Sequence, residues 1–336
     1  MAVAAELRKS GAEVSFLGTR DRMEADLVPA AGYEIDFLRV RGIDRRNPLR
    51  AARAGGEAIG GVGAARAVLK RRRADVVMGG GGYVAGPAGL AATLTRIPLV
   101  LTEADSHLGL ANRLLAPFAR RVCLAFPIPG RDGERYRVTG RPVPPPFTDR
   151  DAARTELGVG GDEACVLVFG GSLGARTVNL AAVEAFRDAP FRVLHAAGER
   201  DYDELVALLG TPPPANYDLR AYIDPFGPAL AASDLVVARA GGSIFEIAAH
   251  GRPALLVPYP HATGDHQTAN ARWMAEGGAA VVVADGELTA ERLAHEVGAL
   301  LHDRTRLTTM ANASAALARP AAAAEVAAEL HRAAHR

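Results

Sequence analysis

The sequence has few cysteines and almost no excess of positive charge. Its 336 residues include only two cysteines, Cys123 and Cys165, which lie far apart in apolar runs. Such a pair excludes a disulfide framework and fits no zinc-ligand spacing, so both are expected to be buried thiols. The formal net charge of +1 gives no overall attraction to nucleic acid, and no nucleic-acid partner is expected.

Long hydrophobic runs and aromatic side chains are also scarce. No apolar run reaches the roughly 20 residues of a membrane-spanning helix, and no signal peptide is visible. Hydrophobic residues make up 49% of the chain but aromatic residues only 5%, which predicts cores of alanine, valine and leucine. The length suits two domains of ordinary size.

Short apolar runs alternate regularly with helical stretches, which is typical of a doubly wound α/β fold. Most of these runs are continuous, as expected for parallel strands that are covered on both faces. We predict strands at 13–17, 75–78, 98–102, 121–126, 164–169, 191–195, 218–222, 234–238, 254–257 and 279–283.

A proline-rich segment, Arg141–Phe147 (RPVPPPF), interrupts this alternation. It suits a semi-rigid linker because proline cannot extend a helix or a central strand. We therefore predict a Rossmann-like domain over 1–144 and a second over 145–318. A C-terminal helix over 319–336 is expected to pack back on the first domain.

The beginning of the chain predicts a helix over residues 2–10, ended by Gly11, and then a strand over 13–17. In a parallel sheet such a helix connects two strands. We therefore expect a strand and its strand-to-helix loop to precede residue 1.

Residues 39–73 concentrate positive charge, with eleven arginines and lysines against Asp44 and Glu57. Apolar residues lie between the basic ones, which suits contact with anionic lipid headgroups at about 1 kcal/mol per basic residue. A solvated helix face is the alternative interpretation. Five glycines argue against one long rigid amphipathic helix: Gly55, Gly56, Gly60, Gly61 and Gly63.

Three glycine-rich turns follow predicted strands: VVMGGGGYVAGP at Val76–Pro87, LVFGGSLGA at Leu167–Ala175 and LVVARAGGSIFE at Leu235–Glu246. Glycine lets a ligand approach the backbone closely, and the amides of the turn and of the following helix can bind phosphate. No Walker signature is present, because no Gly-Lys-Ser/Thr follows these glycines.

The third turn is the most specific of the three, because polar residues follow it. Glu246 is expected one turn inside a helix, where its carboxylate can accept hydrogen bonds from a ribose diol. The loop after the next strand carries further polar groups at the sheet edge, which suits sugar and phosphate recognition. These groups are His261, Asp265, His266, Gln267 and Asn270.

Two other polar motifs are assigned structural roles. The pairs Asp149/Asp151 and Asp201/Asp203 resemble metal-binding Asp-X-Asp motifs, but each is expected to cap a helix. No metal or cofactor is therefore predicted. His195 is expected in a loop near the ligand rather than as a catalytic residue.

The motifs, taken in order, resemble those of the MurG family, peripheral N-acetylglucosaminyltransferases of peptidoglycan synthesis. The resemblance is carried by ARAGGSIFEIAAHGRPALLVPYP with DHQTANA, by GGYVAGPAGLAA, by LTEADSHLGLANRLLAPFA and by FGGSLGARTVN, and it covers essentially the whole chain. It implies a GT-B fold with two Rossmann-like domains facing a cleft. It also implies inverting transfer of GlcNAc from UDP-GlcNAc to the C4 hydroxyl of MurNAc-pentapeptide-diphospho-undecaprenol, at the cytoplasmic face of the cell membrane.

The resemblance also implies roles for individual residues. Ile223 would contact uracil through its backbone, Glu246 would hold the ribose, and Ser172 would meet the donor phosphates. The implied donor-binding set is Asp105, Arg141, Ser172, Ile223, Gly241, Gly242, Ser243, Ile244, Glu246, His266, Gln267 and Asn270. The implied acceptor-binding set is Gly80, Gly81, Gly82 and Tyr83.

The sequence departs from the family pattern at several positions. The family usually has asparagine where this chain has Asp105, and the family's linker arginine falls on Pro144, with Arg141 nearby. The turn before Glu246 is one residue shorter than the common form. By analogy, roughly 15–20 residues, with the family's first glycine-rich loop and its general-base histidine, are expected before residue 1. The alternative interpretations are a GT-B transferase with another lipid acceptor and a UDP-sugar-binding, membrane-associated protein without turnover.

Overall fold

The structure, a computed structural model, describes residues 1–40, 48–171 and 174–335, with the backbone alone for 48–59. The chain divides into two compact units. Unit 1 comprises Met1–Pro144 and Arg319–Arg336, and unit 2 comprises Pro145–Ala318. The last helix of the chain therefore belongs to the same unit as its first residues.

Unit 1 is built from short parallel strands with helices between them. Its strands are β1 (Ser15–Gly18), β2 (Glu34–Phe37), β3 (Val77–Gly79), β4 (Leu99–Glu103), β5 (Arg121–Leu124) and β6 (Tyr136–Val138). Its helices are α1 (Ala2–Lys9), α2 (Glu24–Ala30), α3 (Pro48–Arg72), α4 (Gly82–Leu94), α5 (Leu110–Leu115) and α14 (Ala322–Ala334). Strands β1 and β2 form one sheet, and β3 to β6 form a second in sequence order.

The larger sheet of unit 1 is covered on both faces, as its continuous apolar strands predict. Leu101 of β4 and Leu124 of β5 are fully buried against the face that carries α3 and α4. Val326 of α14 packs on the opposite face. Burying each such side chain contributes about 1.5–3 kcal/mol. Helix α14 is also anchored by Glu329, whose carboxylate lies 3.0 Å from Nε of Arg121 on β5.

The glycines of the basic segment do not interrupt its helix. Helix α3 runs continuously over Pro48–Arg72. Glycine is useful here because it permits close packing: a Cβ on Gly61 would lie 2.5 Å from Cγ1 of Val40 and 3.4 Å from Cβ of Pro87 in α4. Tertiary packing thus outweighs the low helix propensity of glycine, about 1 kcal/mol per residue.

Unit 2 is a single six-stranded parallel sheet with helices on both faces. Its strands are β7 (Cys165–Phe169), β8 (Arg192–Ala196), β9 (Tyr217–Arg220), β10 (Leu235–Ala238), β11 (Ala254–Leu256) and β12 (Ala280–Val282). Its helices are α6 (Arg150–Glu156), α7 (Arg176–Phe186), α8 (Glu199–Leu209), α9 (Phe226–Ala232), α10 (Ile244–Ala249), α11 (His266–Glu276), α12 (Ala290–His302) and α13 (Arg304–Leu317).

The strand order of unit 2, β12-β11-β10-β7-β8-β9, reverses direction between β7 and β10. From β7 the chain builds outward through β8 and β9, and then returns to β10 on the other side of β7. In open parallel sheets, ligands bind outside the carboxyl ends of the strands at such a switch point. The turns after β7 and β10 are therefore where a ligand is expected in this unit.

The two cysteines are buried thiols, as the sequence predicts. Cys123 lies on β5 and Cys165 on β7, and neither forms a disulfide. Burial raises the pKa of each thiol to about 12. Both thiols are therefore protonated at neutral pH and contribute to packing.

Candidate functional site

The turn between β7 and α7 accepts only glycine at two of its positions. A Cβ on Gly170 would lie 2.4 Å from Cβ of Ala175. Gly174 has φ +73°, and a Cβ there would lie 2.3 Å from the carbonyl oxygen of Ala197. The turn is thus packed tightly against the carboxyl end of β8. Ser172, for which a phosphate contact is predicted, lies outside the described residues.

The turn between β10 and α10 places the predicted ribose ligand beside the switch point. Gly241, Gly242 and Ser243 are half-buried, Ile244 is fully buried, and Glu246 lies in the first turn of α10. A carboxylate there is favoured by the partial positive charge of the helix amino end. This stretch therefore presents backbone amides and a carboxylate to the same edge of the sheet.

The far end of α10 is held by His250. Its Nδ1 lies 2.8 Å from the carbonyl oxygen of Glu246, and its Nε2 lies 3.0 Å from the backbone nitrogen of Phe147. A carbonyl can only accept and an N–H only donates, so the Nδ1 atom of His250 carries the proton. Burial lowers the pKa of His250, which favours this neutral form.

The loop after β11 and the start of α11 carry three of the predicted sugar ligands. The Nδ2 of Asn270 donates to the carbonyl oxygen of Ala240 at 2.9 Å, and Asn270 is 2% exposed. Gln267 Oε1 accepts from the backbone N–H of Tyr259, and half-buried His266 begins α11. Asn270 and Gln267 thus connect α11 to the turn after β10 and to the loop after β11.

Arg239 is a site residue that sequence reasoning missed. It follows β10, is 7% exposed, and donates through Nη1 to the carbonyl oxygen of Val257 at 3.1 Å. The same atom lies 2.6 Å from the carboxylate of Asp285. A charged residue that ends a buried strand needs such partners. An arginine directly after an apolar strand is therefore the sequence signal by which Arg239 could have been found. Arg239 therefore ties the ends of β10 and β11 together behind the glycine turn.

Ile223 follows β9 and is half-buried. Strands β7 and β8 lie between β9 and β10 in the sheet. Because all six strands are parallel, the loop of Ile223 and the turn after β10 open on the same edge of the sheet.

In unit 1 the predicted acceptor loop connects β3 to α4. Gly81 and Gly82 have φ +81° and +75°, values that other residues rarely adopt. Gly80 is exposed, and the hydroxyl of Tyr83 accepts a hydrogen bond from Nε of Arg22 at 3.1 Å. The loop therefore leads into the amino end of a 13-residue helix, where backbone amides favour an anion.

Glu103, also missed from the sequence, organises the loop that carries Asp105. It ends β4 and is 8% exposed. One carboxylate oxygen accepts from the backbone N–H groups of Ala104 and Asp105 at 3.0 and 3.3 Å. The other accepts from the N–H of Gly109 at 2.8 Å and from Nδ2 of Asn112 at 2.9 Å. Its acceptor capacity serves the protein's own loop, so Glu103 holds that loop in place.

Asn112, which donates to Glu103, also lies next to the acceptor loop. It is 1% exposed, and a Cβ on Gly81 would lie 3.8 Å from its Nδ2. Thr102 adds a weak hydrogen bond of 3.4 Å to the carbonyl oxygen of Gly79. The half-buried side chains of Asp105 and Arg141 belong to the same unit, on the loop after β4 and after β6 respectively.

Unit 1 also exposes large apolar side chains on α4, α5 and the turn that follows α5. Leu94, Leu114 and Phe118 are about 60% exposed, at 61%, 63% and 60%. Exposed arginines lie beside them in sequence: Arg96, Arg113 and Arg120. Apolar side chains among basic ones suit an anionic lipid surface. No described helix has both the length and the hydropathy to cross a bilayer.

The Asp-X-Asp motifs have structural roles, but not both in the way predicted. Asp149 caps α6 by accepting from the N–H of Ala152. Asp201 lies inside α8, where its carboxylate accepts from Nδ2 of Asn179 and from Nε of Arg200. The prediction of a cap at Asp201 is therefore wrong, because its carboxylate binds the side chains of Asn179 and Arg200. No group of three metal-ligating side chains occurs within the described ranges.

Two α/β units built on parallel strands, each with glycine turns at the carboxyl ends of its strands, are the architecture of the GT-B fold, and the comparisons below assign the class as a glycosyltransferase. The chain belongs to glycosyltransferase family 28. Residues 1–124 match the N-terminal domain of that family, and residues 165–326 match its C-terminal domain.

Relatives and a solved structure support this assignment. A protein of Alkalilimnicola ehrlichii is 42% identical over 97% of this chain and 92% of its own length. One of Moorella thermoacetica is 40% identical over 96% of this chain and 91% of its own. Both are named UDP-N-acetylglucosamine–N-acetylmuramyl-(pentapeptide) pyrophosphoryl-undecaprenol N-acetylglucosamine transferase. The crystal structure of Acinetobacter baumannii MurG is 30% identical, with a TM-score of 0.77, over 98% of this chain and 94% of that one.

Proposed function

We propose that this chain transfers GlcNAc from UDP-GlcNAc to the C4 hydroxyl of MurNAc-pentapeptide-diphospho-undecaprenol, with inversion at the anomeric carbon. The observation that carries the proposal is the turn after β10. At the switch point of unit 2 it combines half-buried glycines with Glu246 in the first turn of the next helix. The names of the two relatives reported above give the same donor and the same lipid-linked acceptor.

The donor would bind along the carboxyl edge of unit 2. Gly241 to Ile244 would contact the α-phosphate, Glu246 would accept hydrogen bonds from the ribose hydroxyls, and Ile223 would meet the uracil. Sugar hydroxyls would be bound from α11 and the loop before it, by His266, Gln267 and Asn270. Ser172, Asp105 and Arg141 complete the proposed donor set.

In the reaction the acceptor C4 oxygen forms a bond to the anomeric carbon while the bond from that carbon to the UDP oxygen breaks. The acceptor proton passes to a general base, and UDP leaves with the bonding electrons. Amides of the glycine turns would stabilise the negative charge that develops on UDP. Residues Gly241 and Gly242 are suited to this, because a glycine lets a phosphate approach its backbone closely.

The acceptor diphosphate would bind at Gly80–Tyr83, where the amino end of α4 favours an anion. Arg22 adds a positive charge beside Tyr83. We also propose that the protein binds peripherally to the cytoplasmic face of the membrane. The basic segment 39–73 and the exposed apolar side chains on α4 and α5 would contact anionic lipid together.

The test is transfer of labelled GlcNAc from UDP-GlcNAc to a soluble analogue of the lipid-linked acceptor. Glu246→Gln is expected to raise KM for UDP-GlcNAc at least tenfold, because charged hydrogen bonds to the ribose contribute about 1.5–3 kcal/mol. Glu291→Gln, at an exposed glutamate in the first turn of α12, is the matched control and should leave KM unchanged. Normal UDP-GlcNAc binding without any transfer would contradict the acceptor assignment and favour another lipid acceptor.

A further inference from the structure

A row of polar side chains crosses the apolar core of unit 2. His195, predicted in a loop, instead lies on β8 and is fully buried. Its Nδ1 is 2.8 Å from the hydroxyl of Tyr217, and its Nε2 is 3.1 Å from Oδ1 of Asn179. The Nδ2 of Asn179 donates to the carbonyl oxygen of Ala197 and to the carboxylate of Asp201, at 2.9 Å each.

The direction of every hydrogen bond in this row is determined. The carbonyl of Ala197 can only accept, so the amide nitrogen of Asn179 faces it and Oδ1 faces His195. The proton of His195 is therefore on Nε2, and Nδ1 accepts from the hydroxyl of Tyr217. Burial lowers the pKa of His195 to about 3, which keeps the ring neutral with this single proton. The hydrogen-bonding groups of this row are all satisfied in only one arrangement of donors and acceptors.

The row leads to the turn after β7. Asn179 lies in the first helical turns of α7. Gly174 packs on the same groups, because a Cβ there would lie 2.3 Å from the carbonyl oxygen of Ala197 and 3.4 Å from Nδ2 of Asn179. The amino end of α7 therefore packs against the carbonyl of Ala197 and the side-chain amide of Asn179. His195 orients that amide. This end opens at the switch point, where the proposed donor diphosphate binds.

We propose that His195 is a positioning residue for donor binding, acting through Asn179 to hold the amino end of α7 at the carboxyl end of β8. It does not touch the donor. The inference rests on the proposed function, since it assigns the diphosphate of UDP-GlcNAc to this edge. A purely structural role would affect stability alone, because a buried polar group without a partner costs about 1–3 kcal/mol wherever it lies.

The experiment measures the Kd of UDP-GlcNAc by calorimetry, and KM and kcat by transfer, for the whole chain. His195→Leu removes the donor to Asn179 and is expected to raise Kd and donor KM roughly tenfold, with kcat at saturating donor within about twofold. His195→Gln keeps an N–H that can reach Asn179 and should restore Kd to within about threefold of the wild type.

Leu194→Ala is the matched control. Leu194 is the fully buried neighbour of His195 on β8, and its side chain points to the opposite face of the sheet. It should lower stability by about 2–5 kcal/mol without changing Kd. A raised Kd in Leu194→Ala equal to that of His195→Leu would overturn the proposal, because destabilisation alone would then account for the effect.

A folded His195→Leu protein with wild-type Kd would also overturn it. If that variant does not fold, Tyr217→Phe replaces it, since only one hydroxyl is deleted. Tyr217→Phe is expected to raise Kd about threefold, and an unchanged Kd refutes the inference. Each variant is compared with the wild type, which must itself bind UDP-GlcNAc. A wild-type chain that does not bind UDP-GlcNAc contradicts the proposed function and not only this inference.

Discussion

The buried neutral His195 predicts that unit 2 loses stability in mild acid. Its pKa is about 3 in the folded protein and about 6.5 in an unfolded chain. The unfolded state therefore binds a proton that the folded state refuses, and stability falls as the pH drops from about 7 towards 3. At pH 5 the unfolded ring is protonated about 30 to 1, which corresponds to a loss of about 2 kcal/mol. Any folded pKa below about 4 gives the same loss at that pH.

Urea unfolding at pH 8 and pH 5, followed by tryptophan fluorescence, measures this loss. The chain's one tryptophan, Trp273, lies in unit 2 with its ring 5.4 Å from that of Phe245, so its emission reports on the unit that holds His195. The wild type should lose about 2 kcal/mol more than His195→Gln between the two pH values. All other titrating groups are common to both proteins and cancel in this difference.

His302→Gln serves as the control, because His302 is an exposed histidine at the end of α12. That variant should follow the wild type at both pH values. Equal pH dependence in the wild type and in His195→Gln would refute the assignment of a buried, neutral ring. It would also remove the argument for the direction of the hydrogen bonds between His195 and Asn179.

Three further outcomes are expected. Gly174→Ala should lower both the melting temperature and the affinity for UDP in calorimetry, because its Cβ would lie 2.3 Å from the carbonyl oxygen of Ala197; an unchanged affinity would show that the turn is not used. Glu103→Gln should reduce kcat/KM for the acceptor at least tenfold, because charge-assisted hydrogen bonds of about 1.5–3 kcal/mol each are lost. Phe118→Ser should reduce cosedimentation with anionic vesicles, whereas Leu208→Ser, at an exposed leucine of unit 2, should not.

The strands that could be predicted from the sequence are those whose residues are buried on both faces. Strand β7 (CVLVF) and strand β10 (LVVA) are continuous apolar runs, and each lies within one residue of its predicted bounds. Strands β2 and β6 were missed. They are edge strands of four and three residues, and they give no continuous apolar run and are too short for their alternation of polar and apolar residues (EIDF, YRV) to stand out.

The residues of the candidate site likewise divide into those that could be predicted from the sequence and those that could not. Glycine turns and the nearby Glu246 could be located because their chemistry is local: a turn, a helix start and a carboxylate are read within a dozen residues. Asn179 could not, because its partners lie up to 22 residues away, as for Asn179 and Asp201. A periodic pattern contains no information on which buried polar groups meet across a sheet.

A site that binds phosphate through backbone amides needs turns of fixed shape, and the glycine motif alone does not fix that shape. Glycine turns present no side chains that could hold their shape, and glycine is the most flexible residue. Among the described residues, buried polar side chains next to each such turn support it. Glu103 and Asn112 support the loops after β3 and β4, His195 and Asn179 the turn after β7, and Asn270 the turn after β10. Each turn therefore depends on buried side chains outside its own glycines, so that substitutions of those side chains should impair binding as much as substitutions within the turns.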